Sequence, residues 1–540
     1  MPDDRIEIAA MVDGVLDRWR EMRSDTGRAA GDRRFRSWLF ETVPAQTAAV
    51  TGPDGGALGA HCYLVFEVAS VLVERQRVSD AFLLLRWIAD HYVDHPDADN
   101  AARVIMCLTD NCAQLGQFDN EKNQSARQLL RAVADSVRDP VDIRVERAVA
   151  RALVCIGQLR GSAVSSDSDK TAELAALWTE VNVRWHANRD PELGGRARQA
   201  LWNKGLLWLQ RGRDKDARRE FEKLLRQAGS AGHGVRGEAD EWVVRARHAP
   251  ALLDAVVIPP PALHTEYLRR QRHFDRRRQR RSFGIPWLLA GAPRNQMRAL
   301  VRGAGKRHQV SAGMVRSWVC EGEPFVLLLR NFELTERSGT SALARDVFED
   351  HETAGDHVRM ISFRASQEVL SELVTGVSLV QVASTTAGEL ELTPFPGQFV
   401  APNQLYLPDA TWFDTVTTLM ALAEQVIVWA DTLTDPLARE LDALPARDRA
   451  ADTTVILEER KKNPAVDVVL PAREGEPLSP DHPALTRFPN VVTAEQFEGK
   501  RVQDCPALMR LVGRLEARRR EPVQQRIARL RERLDAELAG

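Results

Sequence analysis

The 540-residue chain contains only six cysteines, at positions 62, 107, 112, 155, 320 and 505, with no CxxC pair among them. So few thiols in so long a chain do not make a disulfide framework, and reduced, mostly buried cysteines are expected. No stretch reaches the roughly 18 apolar residues of a membrane span. The opening MPDDRIEIAA is acidic and has no basic segment leading into an apolar one, so a soluble, unexported, cytoplasmic protein is expected. An excess of one charge is also missing: 74 basic residues face 76 acidic ones, which argues against a bulk polyanion or membrane-surface binder.

Several motifs are absent as well. There is no GxxxxGK[ST] loop, no GxGxxG opening a first βα unit, no HExxH, no GxSxG and no kinase catalytic loop, which sets aside the ATPase, dehydrogenase, zincin and α/β-hydrolase readings. Gly303-Ala304-Gly305-Lys306 lacks the flanking strand and the third glycine of a phosphate loop. His91 and His95 stand four apart around Asp94, but Pro96 follows at once and nothing nearby completes a metal site. They read as helix-end histidines; no metal and no resident cofactor are expected.

What is present is enough apolar material, 44% of residues, to give two to four domains their own cores. Residues 196–228, RARQALWNKGLLWLQRGRDKDARREFEKLLRQA, pair small residues (Gly205, Ala217) with bulky ones (Trp208, Phe221) around Gly212. Small residues let two antiparallel helices approach, a glycine suits the turn, and the aromatics fill the gap to a neighbouring hairpin. With Leu201, these positions fall on the signature spacings of the tetratricopeptide repeat (TPR), which the segment resembles. A similar register fits residues 62–95 through Ala69, Leu72, Ala81 and Leu85, and residues 102–136 less closely, with Gly116 in the turn but Glu121 at a small-residue position. ARALVCIG around Gly157 repeats RQALWNKG around Gly205, and the polar run at 161–169 reads as an inserted loop. Residues 1–250 are therefore expected to form a TPR-like α-solenoid of four or five hairpins; the alternative is an irregular helical bundle.

Three successive prolines, Pro259, Pro260 and Pro261, mark a boundary near 250–262. Residues 251–318 then read as a Pro/Arg-rich basic helical connector, with eight arginines between Arg269 and Arg281. That run has the charge to bind a nucleic-acid backbone, but Phe274 is its only aromatic, so a solvated or acid-paired helix is the favoured reading.

From about 319 the period changes. Short β-rich runs at 325–329, 358–363, 377–382, 425–430, 453–457 and 490–492 alternate with helix-like segments at 341–349, 366–375, 412–424, 436–444 and 505–517. This alternation predicts an α/β domain over 319–517 with a mostly parallel sheet covered on both faces. Residues 518–540 carry Ile527, Leu530, Leu534 and Leu538 at helical spacing and predict a C-terminal amphipathic helix for packing or self-association.

VIVWA at 426–430 is an apolar strand, followed by Asp435 and Pro436, which suit the start of a helix. This passage resembles Toll/interleukin-1 receptor (TIR) domains, with Asp435, Leu437 and Glu440 at the Ser, Trp and Glu of a Ser-Pro-Trp-x-x-Glu-like helix start. PFVLLLRNFE at 324–333 and LYLPDATWFD at 405–414 extend the likeness to a divergent bacterial TIR-like group. The resemblance implies a flavodoxin-like sheet and nominates Glu440 as the catalytic residue of an NAD glycohydrolase, with NAD as substrate. A carboxylate there would offset the cation-like sugar formed as the nicotinamide bond breaks. By position at or near strand ends, Arg330, Asn331, Asp409, Trp412 and Asp431 are the candidate nucleotide-binding residues. The combined expectation is a bacterial defence sensor and effector in which the TPR-like half binds a protein partner and the TIR-like half hydrolyses NAD on assembly. Two alternatives are a non-catalytic interaction scaffold and a nucleotide-signal sensor.

Overall fold

The computed structural model describes residues 14, 17–22, 24–25, 28–38, 69, 78–93, 97–115, 120–137, 142–161, 168–230, 240–261, 292–330, 378–383, 403–408, 410–430, 432–457, 476–493 and 504–539. The chain forms two compact units, Met1–Lys204 with Gly229–Gly232, and Gly205–Ala228 with His233–Gly540. The division falls inside a helix and earlier than the boundary expected near 250. No described helix is long and apolar enough to cross a membrane.

The first unit is helical: α1 (Arg28–Ser37), α2 (Val78–Tyr92), α3 (Ala98–Leu115), α4 (Asn120–Ser136), α5 (Ile143–Gly161), α6 (Ser168–Trp185) and most of α7 (Pro191–Gln210). In α3, Val104, Ile105, Leu108 and Cys112 recur at spacings of one, three and four, and all are buried. Buried polar links join neighbours: Trp185 Nε1 donates to Glu146 Oε1 at 3.0 Å, and Asn182 Nδ2 to the Ala197 carbonyl at 3.2 Å. Arg131 bridges Asp135 and Glu180. Such half-exposed ion pairs contribute about 0–1 kcal/mol each, so apolar packing dominates.

The glycines of the two similar octapeptides, Gly157 and Gly205, each face an aromatic ring. A methyl group on Gly157 would lie 2.1 Å from the Trp178 ring in α6. On Gly205 in α7, it would lie 2.3 Å from the Phe221 ring in α8 (Asp214–Ser230). Each glycine thus gives way to an aromatic of the following helix. Gly212 ends α7 at φ +66°, with its N–H on the Leu209 carbonyl and the Arg213 N–H on the Trp208 carbonyl, a left-handed cap that a Cβ would strain.

The second unit holds α8, α9 (Glu241–Ala255), α10 (Ala292–Glu321) and the sheet. α10 is a continuous helix of 30 residues running through much of the expected connector, and Gly303 to Lys306 lie inside it, not in a loop. The Arg269 to Arg281 run lies outside the described residues. The strands are β1 (Phe325–Arg330), β2 (Ser378–Ala383), β3 (Gln404–Tyr406), β4 (Gln425–Ala430), β6 (Thr453–Leu457) and β8 (Val491–Thr493), with β5 (Thr432–Leu433) and β7 (Glu476–Pro477) in a separate two-stranded ribbon. The main sheet runs β3-β2-β1-β4-β6-β8, and every neighbouring pair is parallel. Counted on the main sheet alone this is the order 3-2-1-4-5-6 of a doubly wound fold. Among the described residues two strands lie outside β1, where the flavodoxin-like order 2-1-3-4-5 has one. The expected strand at 358–363 and helices at 341–349 and 366–375 lie outside the described residues.

Alternate side chains of the central strands feed two cores. Leu327, Leu329, Val380, Val426, Val428, Val455 and Leu457 face one core with α9, α10, α11 (Trp412–Leu422), α12 (Asp435–Ala446) and α14 (Val523–Ala539). Val326, Leu328, Ile427, Trp429 and Ile456 face the other, which α13 (Pro506–Arg520) covers through Leu508, Leu511 and Leu515. The C-terminal helices are also pinned near the amino ends of the strands: Arg518 and Arg533 meet Glu424 at 2.6 and 3.3 Å, and Arg519 meets Glu323 at 2.6 Å.

Candidate functional site

Strand order reverses at β1: the chain moves outward through β2 and β3, then returns to β1's other side as β4. Such a reversal splays the connections apart and leaves a crevice past the carboxyl ends of the strands. Here those ends are Arg330 on β1 and Ala430 on β4, and Arg330 is in register with Trp429. Arg330 is thus placed by its backbone at the reversal. Asn331, Asp409 and Asp431 lie outside the described residues. Trp412, at the start of α11, is half-buried and packs against the sheet's core with its ring 5.8 Å from that of Phe413.

Glu440 is elsewhere. It sits on α12 about five residues, or roughly 7.5 Å of helix rise, from Asp435, heading away from the carboxyl edge. Its exposure is 1%, and it shares the buried face of α12 with Leu437, Leu441 and Leu444. Its Oε1 has no hydrogen-bond partner. Burial pushes the Glu440 carboxyl well above the usual carboxylate range. The structure therefore brings Arg330 to the strand reversal and keeps Glu440 inside the core. A role beside a ribose would require that carboxyl, here 1% exposed, to be reached.

A second polar cluster, which the sequence reading did not nominate, closes the outer edge of β3. The Tyr406 N–H donates to His308 Nδ1 at 3.0 Å, and the His308 ring also bonds the Pro259 carbonyl. The Tyr406 hydroxyl donates to Gln404 Oε1 at 2.6 Å, and Arg307 lies over the Tyr406 ring at 5.9 Å. His308 is 3% exposed, and burial depresses its pKa to about 4, with Arg316 adding to the fall and the Pro259 bond opposing it. The neutral imidazole fits: one nitrogen accepts from a strand and the other donates to the proline. The only sequence signal was a lone histidine on a basic helix.

Among the described residues no group of three or more His, Cys, Asp or Glu has the arrangement to hold a metal ion. No protein-family model matches the chain, and no curated protein matches it.

Proposed function

We propose that the protein is a nucleotide-signal sensor whose parallel sheet takes a nucleotide in the crevice between the carboxyl ends of β1 and β4. The observation that supports this reading is the reversal of strand order at β1, with an arginine ending that strand. Open parallel sheets take ligands at such reversals, and a guanidinium there supplies a fork for phosphate oxygens. The helical hairpins of the N-terminal half, read as TPR-like, offer a surface for a protein partner. A setting in bacterial defence rests on the TPR-like and TIR-like resemblances.

Cleavage of NAD is the rival reading, and the burial of Glu440 weighs against it. A carboxylate that offsets charge on a ribose must reach that ribose, and this one is 1% exposed in an apolar setting. Binding without hydrolysis is the form of the proposal that geometry favours.

Calorimetric titration of the full chain with NAD and with ATP, alongside chromatography for released nicotinamide, tests both readings. The expected result is saturable binding of at least one nucleotide without nicotinamide release, weakened about tenfold or more by Arg330→Ala. Absence of binding, or indifference to that substitution, overturns the proposal. Nicotinamide release that Glu440→Gln abolishes restores the hydrolase.

A further inference from the structure

Glu440 breaks the pattern that builds α12. Positions 437, 440, 441 and 444 form one helical stripe facing the core, and three of them are leucine. Leucine or methionine at 440 would complete the stripe at no polar cost. Instead a carboxyl group is enclosed with one oxygen lacking any partner, an arrangement that proteins tolerate at sites where something moves or reacts.

The charged groups around it are engaged elsewhere. On α12 itself, Arg439 lies over the Phe413 ring at 4.3 Å, Asp442 pairs with Arg487 at 2.5 Å, and Asp435 is exposed at the helix start. On α11, Asp414 is exposed. In the segment packed against α12 around residues 483–485, His482 meets Glu476 at 3.4 Å and accepts from the Ala484 N–H. Just past the helix, Arg447 pairs with Glu537 at 2.6 Å. Among the described residues no ion pair or hydrogen bond reaches Glu440, so none of them offsets the desolvation that opposes a carboxylate there. Ionisation is favoured once water reaches the carboxyl, and lifting α12 from the core would admit it. The helix ends suit such a movement: Pro445 interrupts its last turn, and Asp448, just beyond, takes the left-handed conformation at φ 55°.

We infer that α12 is a releasable element of the second unit, docked while Glu440 holds its proton and freed when that proton passes to solvent. Any partner or ligand that favours the ionised, solvated carboxylate would bias the same equilibrium. The inference is independent of nucleotide binding.

Hydrogen exchange of the full chain, followed by mass spectrometry and corrected for intrinsic pH dependence, tests it at about pH 6 and about pH 9. Peptides covering residues 435–446 are expected to open at least about tenfold more at the higher pH, while those covering β4 and α11 do not. Glu440→Gln, which cannot ionise, and Glu440→Leu are expected to abolish the rise. Equal protection of α12 at both values in the wild type overturns the inference, a measurement that needs no variant. So does a rise spread over the whole unit, or the same rise in Glu440→Gln.

Discussion

Gly313 and Leu209 are pressed backbone against backbone: a methyl group on Gly313 would lie 2.5 Å from the Leu209 carbonyl oxygen and 2.5 Å from Gln210 Cα. This is where α10 crosses the end of α7, and the contact is framed by Gln309, which donates to the Arg211 carbonyl at 2.9 Å, and by Arg316, paired with Asp214 at 3.0 Å. The α7–α8 turn is thereby fastened to the helix that also covers β3.

Because the obstructing atoms are main chain, they cannot swing aside. Gly313→Ala is expected to lower the stability of the second unit by about 2 kcal/mol, although alanine is the better helix former. Urea titration followed by tryptophan fluorescence checks this, and a stabilised variant would show that the crossing is looser than described.

His308 sets an acid limit. The unfolded imidazole takes a proton near pH 6.5 and the folded one only near 4, so below 6.5 the unfolded chain holds more protons and stability falls with pH. The loss is on the order of 3 kcal/mol between those values and levels off below them. His308→Asn, which keeps an acceptor for the Tyr406 N–H, is expected to flatten this part of the stability profile. The readout is the melting temperature at pH steps from 7 to 4.

Glu424 precedes β4, is 7% exposed and is gripped by Arg518 of α13 and Arg533 of α14. Removing the carboxylate leaves Arg518 paired with Glu521 and turns Arg533, which lies beside the like charge of Arg449, onto the Ala423 carbonyl. Glu424→Ala is expected to cost about 2 kcal/mol and to loosen the C-terminal helices first. Limited proteolysis should then cut between residues 504 and 539 earlier than in the wild type.

In the first unit, Gly157→Ala drives a methyl group into the Trp178 ring and is expected to destabilise by about 2 kcal/mol. Trp178→Leu in the same chain removes the obstruction, so the double variant should lose less than the sum of the single losses. Strict additivity, measured by thermal melts, would mean that the two side chains do not meet.

Much of the secondary structure could be read from the chain because period carries that information. The runs at 325–329, 377–382, 425–430, 453–457 and 490–492 became β1, β2, β4, β6 and β8, and the leucine spacing after 522 became α14. β3 was missed because three residues are too few to display alternation, and without it the strand order could not be worked out. α10 lies largely in the segment read as a basic helical connector, but its length and its crossing at Gly313 were not legible, because Gly303, Gly305 and Gly313 interrupt its apolar pattern. The placement of Glu440 was partly legible: an acid on a stripe with Leu437, Leu441 and Leu444 points inward. The family resemblance drew attention to the residue's identity and away from the direction of that stripe. His308 gave only the signal of a lone histidine on a basic helix, since its partners Tyr406 and Pro259 are distant in sequence and meet only through the fold.

The histidine on the outer flank of β3 has a consequence for how copies of this protein could join. By occupying the Tyr406 N–H, it withholds that donor from an incoming chain, so lateral growth of the sheet by a neighbouring molecule is discouraged on that side. Among the described residues the opposite flank, β8, pairs with β6 alone, so strand addition is less opposed there than beside Tyr406.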